Sequence, residues 1–181
     1  MKQFIIIKCG KDNHCYILDV LKLILGNNIE YFENEELLTI YYSKSDYEII
    51  DVIKSLEVDL DCLISVYMST YSDYLEKEYE LVNELFKNSN YGQYNFKELL
   101  MLSNGSDNAT EIFDFITNGS GVNYQIIEAM ANCDLNVSKA SSVLYMHRNT
   151  LLYKIDRLYE FKGFDLKSFK DLHILYNLIK A

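Results

Sequence analysis

The sequence predicts an α+β chain: a small N-terminal α/β sandwich, with an antiparallel sheet and helices, followed by an all-α C-terminal region. Three observations carry this reading. Residues 1–88 alternate β-rich runs with helical patterns in the order β-α-β-β-α-β-α, which suits helices packed on a mostly antiparallel sheet. From residue 122 onward the apolar residues fall at helical spacing in four short segments. Between them, residues 89–121 are rich in Asn, Ser and Gly and hold only two short helical pieces, near 96–102 and 109–116. The expected organisation is therefore an α/β domain at 1–88, a helical connector at 89–121 and a helical domain at 122–181.

Composition fits a folded chain. Of 181 residues, 49% are hydrophobic, enough for a packed core. The longest early apolar run, Phe4 to Ile7, is far too short for a signal peptide or membrane span, so a cytoplasmic protein with no membrane partner is expected. Cys9, Cys15, Cys62 and Cys133 form no CxxC pair. Cys9, His14 and Cys15 lack a fourth ligand at useful spacing, so the cysteines read as buried structural thiols in a reducing compartment, and no metal or cofactor is expected.

In chain order, Phe4–Lys8 is a strand and Gly10 to Asn13 a turn. A helix runs from Cys15 to Leu25, closed by Gly26 and Asn27. Residues 29–32 and 37–42 form a hairpin around the acidic turn Glu33-Asn34-Glu35-Glu36. Ser45 or Asp46 caps a helix to Leu56, with Ile49, Ile50, Ile53 and Leu56 inward. Residues 62–68 are an apolar strand, and Ser72 or Asp73 caps a helix to Phe86 with Leu75, Tyr79, Val82 and Phe86 inward. In the second half, residues 124–133 form a supporting helix with Ile126, Ile127 and Met130 inward. A last helix, 169–179, carries Leu172, Leu175, Tyr176 and Ile179.

The stretch 131–161 between those helices has the most to say about function. A short helix, 137–145, has Ala140, Val143 and Leu144 on its apolar side. The turn Met146-His147-Arg148 leads to a second helix from Asn149 to Phe161, with Leu151, Leu152, Ile155, Leu158 and Tyr159 as its stripe. Thr150, Tyr153, Lys154 and Arg157 share the opposite face. Hydroxyl, aromatic and basic groups outward on the second of two short helices are what a major-groove reader of duplex DNA requires.

The same residues resemble the C-terminal helix-turn-helix of PucR/CdaR-type transcriptional regulators. The match runs through Asn136, Val137, Ser138, Ala140, Leu144, His147, Arg148, Asn149, Thr150, Leu151, Tyr153 and Arg157, then Gly163, Asp165 and Leu166. It departs at Ser141, Met146 and Lys154, where the family usually has Ala, Val and Arg. The resemblance implies a DNA-binding regulator with a variable N-terminal sensing region that leaves room for a small-molecule effector. His147, Arg148, Asn149, Thr150, Tyr153, Lys154 and Arg157 are the expected DNA-binding residues, with double-stranded DNA as partner.

By element order and position, the N-terminal region is similar to the degenerate GGDEF-like domain of such regulators. An active cyclase of that fold carries glycines and metal-holding carboxylates on the hairpin turn. Glu33-Asn34-Glu35-Glu36 has no glycine, so no enzyme activity and no catalytic residue are expected.

Charge sets the competing reading. The net charge is −10, but residues 1–121 hold 9 Lys/Arg against 21 Asp/Glu, while 122–181 hold 8 against 6. The reading region thus carries +2, a weak field for one copy, which argues for a homodimer. The alternative is a protein–protein interaction module that keeps the helix-turn-helix fold without useful DNA affinity.

Overall fold

The computed structural model describes residues 2–26, 29–43, 49–71, 73–102 and 108–181. Asn27, Ser45, Asp46 and Ser72, given roles above, and residues 103–107 of the expected connector lie outside them. The fold is α+β, and the chain divides into two compact units, residues 1–102 and 103–181.

The first unit is built on a sheet in the order β2-β3-β1-β4-β5. Its strands are β1 (Lys2–Lys8), β2 (Glu30–Glu33), β3 (Leu37–Ser43), β4 (Ser65–Met68) and β5 (Gln93–Tyr94). All neighbours are antiparallel except β4 and β5, which are parallel. β1 is central, and Phe4, Ile5, Ile6 and Ile7 are all buried, because helices cover both faces of the sheet. Ile5 and Ile7 join Leu38, Ile40 and Val66 in an aliphatic layer against α1 (His14–Leu25) and α2 (Ile49–Asp59). Phe4 faces the other way, stacking on Tyr67 and meeting Tyr79 of α3 (Leu75–Lys87) edge-on. β2 is the outer strand beside β3, and all four of its residues are exposed.

The elements differ from expectation in four places. The strand after α2 begins at Ser65 rather than Cys62, because Asp61 turns at φ 48° and the Glu57 carboxylate accepts the Ile64 N–H. α3 starts after Tyr74, with no side-chain cap from Asp73. Its buried positions are Glu78, Leu81, Val82 and Phe86, while Leu75 and Tyr79 are half-buried. β5 is new, a two-residue strand too short to show alternation. Of the cysteines expected to be buried, Cys9 and Cys133 are, whereas Cys62 is half-buried and Cys15, on the outer side of α1, is exposed.

Glu78 explains the shift in α3. Its carboxylate is fully buried and accepts from the Tyr67 hydroxyl at 2.5 Å and the N–H groups of Thr70 and Tyr71 at 2.6 and 2.8 Å. These bonds answer the desolvation of the acid and hold the segment after β4 against the helix. Burial and the adjacent carboxylate push the Tyr67 phenol well above its ordinary range.

The expected connector is divided between the units. α4 (Phe96–Leu102) buries Phe96, Leu99 and Leu100 in the first unit. α5 (Ala109–Thr117) buries Ile112, Phe115 and Ile116 in the second. No helix among the described residues is long and apolar enough to cross a membrane.

Removing the Glu78 side chain leaves three donors without their acceptor. Glu78→Ala should cost about 3 kcal/mol or more in equilibrium urea unfolding. Glu84→Ala, exposed on the same helix, should stay within about 0.5 kcal/mol. Equal effects would remove Glu78 from its keystone role.

Candidate nucleic-acid interface

The second unit is a helical bundle in which three of the helices, α6, α7 and α8, are opened by a side-chain cap. The Asn123 carboxamide oxygen accepts from the Ile126 N–H and opens α6 (Tyr124–Asn132). Asp134 and Leu135 turn at φ 52° and 62°, and Asn136 then opens α7 (Val137–Val143) by accepting from the Lys139 N–H. The connection to α8 (Arg148–Lys162) passes through Tyr145 at φ 50°. His147 Nδ1 accepts from the Asn149 N–H at 3.2 Å, so His147 is the cap of α8. Gly163 ends α8 in the left-handed conformation, φ 71°, its N–H reaching the Tyr159 carbonyl.

α8 is phased by Leu151, Ile155 and Leu158, all fully buried. α7 contributes Ala140, α5 packs on α8, and Phe164 and Leu166 are buried just beyond it. α9 (Phe169–Lys180) closes the bundle against α5 and α6, burying Leu172, Ile174 and Leu175.

Two expected stripe residues of α7 and α8 are exposed, and Leu144 and Leu152 are half-buried. Tyr159 is 60% exposed, and the buried position in the last turn belongs to Lys162, whose ammonium lies 3.7 Å from the centre of the Phe115 ring. On α7, Val143 is 61% exposed, while Ser141 is buried with its hydroxyl on the Ser138 carbonyl. That bond accommodates a hydroxyl where an alanine is usual.

The predicted reading face has the following geometry. Arg148, Asn149 and Thr150 are exposed in the first turn of α8, and Tyr153 is exposed one turn on. Arg157 lies over the Tyr153 ring at 5.6 Å and the Phe161 ring at 5.0 Å, and donates to the Tyr153 hydroxyl at 3.4 Å. Lys154 is half-buried and donates to the Gly121 carbonyl at 2.6 Å, tying α8 to the loop before α6. Gly121 itself sits at φ 76°, where an added Cβ would lie 3.1 Å from Lys154 Nζ.

Several cations of this unit are engaged internally. Lys167 pairs with Asp156 and Asp165, and Lys180 with Glu128. Among the described residues, Lys139 on α7, Arg148 and Lys170 make no such pair and are exposed. Lys139 was not singled out by the sequence reading, although its place three residues after the cap Asn136 put it on the outer turn of the first helix.

The hairpin tip of the first unit is closed by the Asn34 carboxamide, which accepts from the N–H groups of Glu36 and Leu37. Glu33 bonds the buried His14 at 3.3 Å.

Residues 124–181 match the PucR C-terminal helix-turn-helix domain. Among solved structures, the chain is similar to the crystal structure of a regulator of polyketide synthase expression from Bifidobacterium adolescentis. The two are 16% identical, with a TM-score of 0.55, over 99% of this chain and 78% of that one. At that identity the likeness speaks to the fold alone. No curated protein matches the chain.

The packing beneath α8 can be measured without DNA. Leu151→Ala should cost about 2–5 kcal/mol in urea unfolding, the loss of a buried leucine and the cavity it leaves. Gly121→Ala should cost about 1–2 kcal/mol, because the backbone is left-handed there. A Leu151→Ala chain as stable as the unaltered one would mean that α8 is rotated from the phase described.

Proposed function

We propose, for a chain whose residues 124–181 are a PucR C-terminal helix-turn-helix domain, that it is a transcriptional regulator reading duplex DNA with α8. The observation that carries the reading is the two-sidedness of this helix. Leu151, Ile155 and Leu158 are sequestered, while Arg148, Asn149, Thr150 and Tyr153 project from its first two turns. Those turns are where a groove-inserted helix meets base edges.

Roles follow from chemistry. Thr150 and Asn149 offer short polar groups for base edges, and Tyr153 a hydroxyl on an aromatic body. Arg148 is free of internal pairs and suits a phosphate, as does Lys139 on α7, the helix that crosses the backbone in this motif. Lys154 has two further N–H donors beyond the one on Gly121, and Arg157 is held flat by two rings with most of its donors outward. His147 acts first as the cap that orients Arg148 and Thr150. The name of the Bifidobacterium relative, a regulator of expression, agrees with this reading. The first unit is assigned a sensing or dimerising role, with a small-molecule effector as its candidate ligand.

A balance of +2 over residues 122–181 supplies few phosphate contacts, so we place two copies on adjacent half-sites. The second reading, an interaction module without DNA affinity, is favoured by one fact. Lys162, Lys167 and Lys180 are turned to partners within the unit.

Selection from random duplex DNA on the purified chain, at low and moderate salt, separates the two. An enriched sequence is expected, with the complex sedimenting as a dimer. Thr150→Ala should then cost about 1–3 kcal/mol on the enriched site and relax one or two base positions. Arg148→Ala should weaken all duplexes alike and lower the salt slope by about one. No enrichment at low salt would establish the interaction-module reading instead.

A further inference from the structure

Tyr145 stands out as a side chain the fold does not use. It is 100% exposed, the most exposed large hydrophobic residue among those the structure describes. Its backbone is at φ 50°, a conformation in which Cβ crowds the following carbonyl and which favours glycine. For folding alone, glycine would serve better here, since the ring contributes no burial that would offset the strain.

The position is specific. Tyr145 lies in the connection between α7 and α8, bonded through its N–H to the Ser142 carbonyl and two residues before the cap His147. In a helix-turn-helix the first helix crosses the sugar–phosphate backbone and the second enters the groove. The connection between them therefore lies at the lip of the groove, where phosphates are the nearest chemistry. A phenol hydroxyl at the end of a rigid ring is a phosphate donor that reaches well beyond the backbone.

Resting on the duplex-binding reading above, we propose that Tyr145 is a further DNA contact whose hydroxyl donates to a phosphate oxygen. It fixes the register of α8 rather than reading a base. Being neutral, it differs from Arg148 and Lys139 in a measurable way. A neutral donor displaces no condensed cation, so its contribution is independent of salt.

The test uses the full chain and three duplex-binding series: unaltered, Tyr145→Phe and Tyr145→Gly, each on the enriched and a scrambled duplex at several salt concentrations. Tyr145→Phe should weaken both duplexes about tenfold, the loss of one hydrogen bond to a charged acceptor, with an unchanged salt slope. Tyr145→Gly should bind at least as weakly yet melt no lower than the unaltered chain. Binding by Tyr145→Phe equal to that of the unaltered chain overturns the contact while leaving the DNA-reading function standing. A loss confined to the enriched duplex also overturns it, since that signature belongs to base readout. So does a Tyr145→Gly chain whose melting falls in step with its binding, because the ring would then be serving the fold. If the unaltered chain enriches no duplex, both this inference and the reading beneath it fall.

Discussion

Three side chains one turn apart determine what the C-terminal unit can present to a partner. Leu151, Ile155 and Leu158 are each removed from solvent entirely, and full burial of a leucine or isoleucine is worth about 1.5–3 kcal/mol. An exposed ion pair contributes about 0–1 kcal/mol. The rotation of α8 about its axis is therefore set from inside, and the outward charges have little influence on it. Once the helix is so rotated, Thr150, Tyr153 and Arg157 have only one side to occupy. The caps then fix where the helix starts: His147 at one end and Gly163 at the other leave fifteen residues between them.

The N-terminal unit is governed by a different demand, the covering of both faces of one strand. β1 is apolar at four consecutive positions, so alternate residues meet unlike surroundings, aliphatic for Ile5 and Ile7 and aromatic for Phe4. On the aromatic side α3 must approach the sheet where the chain leaves β4 with unpaired backbone N–H groups. Glu78 resolves this by bringing an acceptor into the interior. A carboxylate with three donors is a high-stakes arrangement, because any one group lost leaves the others buried without partners.

Much of this was legible in the residues. The hairpin around Glu33 to Glu36 follows from two β-rich runs and a polar turn, and its Asn34 closure from the habit of that side chain. The α7–α8 pair followed from periodicity and its turn residues. What escaped follows a pattern. Apolar counting places Tyr79 and Leu75 toward the sheet, whereas Glu78 occupies the buried position because donors distant in sequence await it. Likewise Lys162 displaces Tyr159 from the buried side of α8, since the Phe115 ring offers its ammonium a favourable face. Both errors concern charged groups whose partners lie on other elements, which a one-dimensional pattern cannot register. Tyr145 and Lys139 were passed over for the opposite reason: they belong to no stripe, and their interest lies in having nothing to pack against.

The outer strand β2 has a consequence for assembly. Its sequence, Glu30-Tyr31-Phe32-Glu33, joins an open row of backbone donors and acceptors to two exposed aromatic rings, a combination that invites another strand. A second copy adding its own β2 antiparallel about the strand centre would set Glu30 opposite Glu33 at both ends. Like charges directly opposed across a ladder are unfavourable. Lys2 is drawn to Glu30 along the same margin, at 3.5 Å, and would have to serve both copies' carboxylates at once. The sheet is thus gated electrostatically against growing through its own edge.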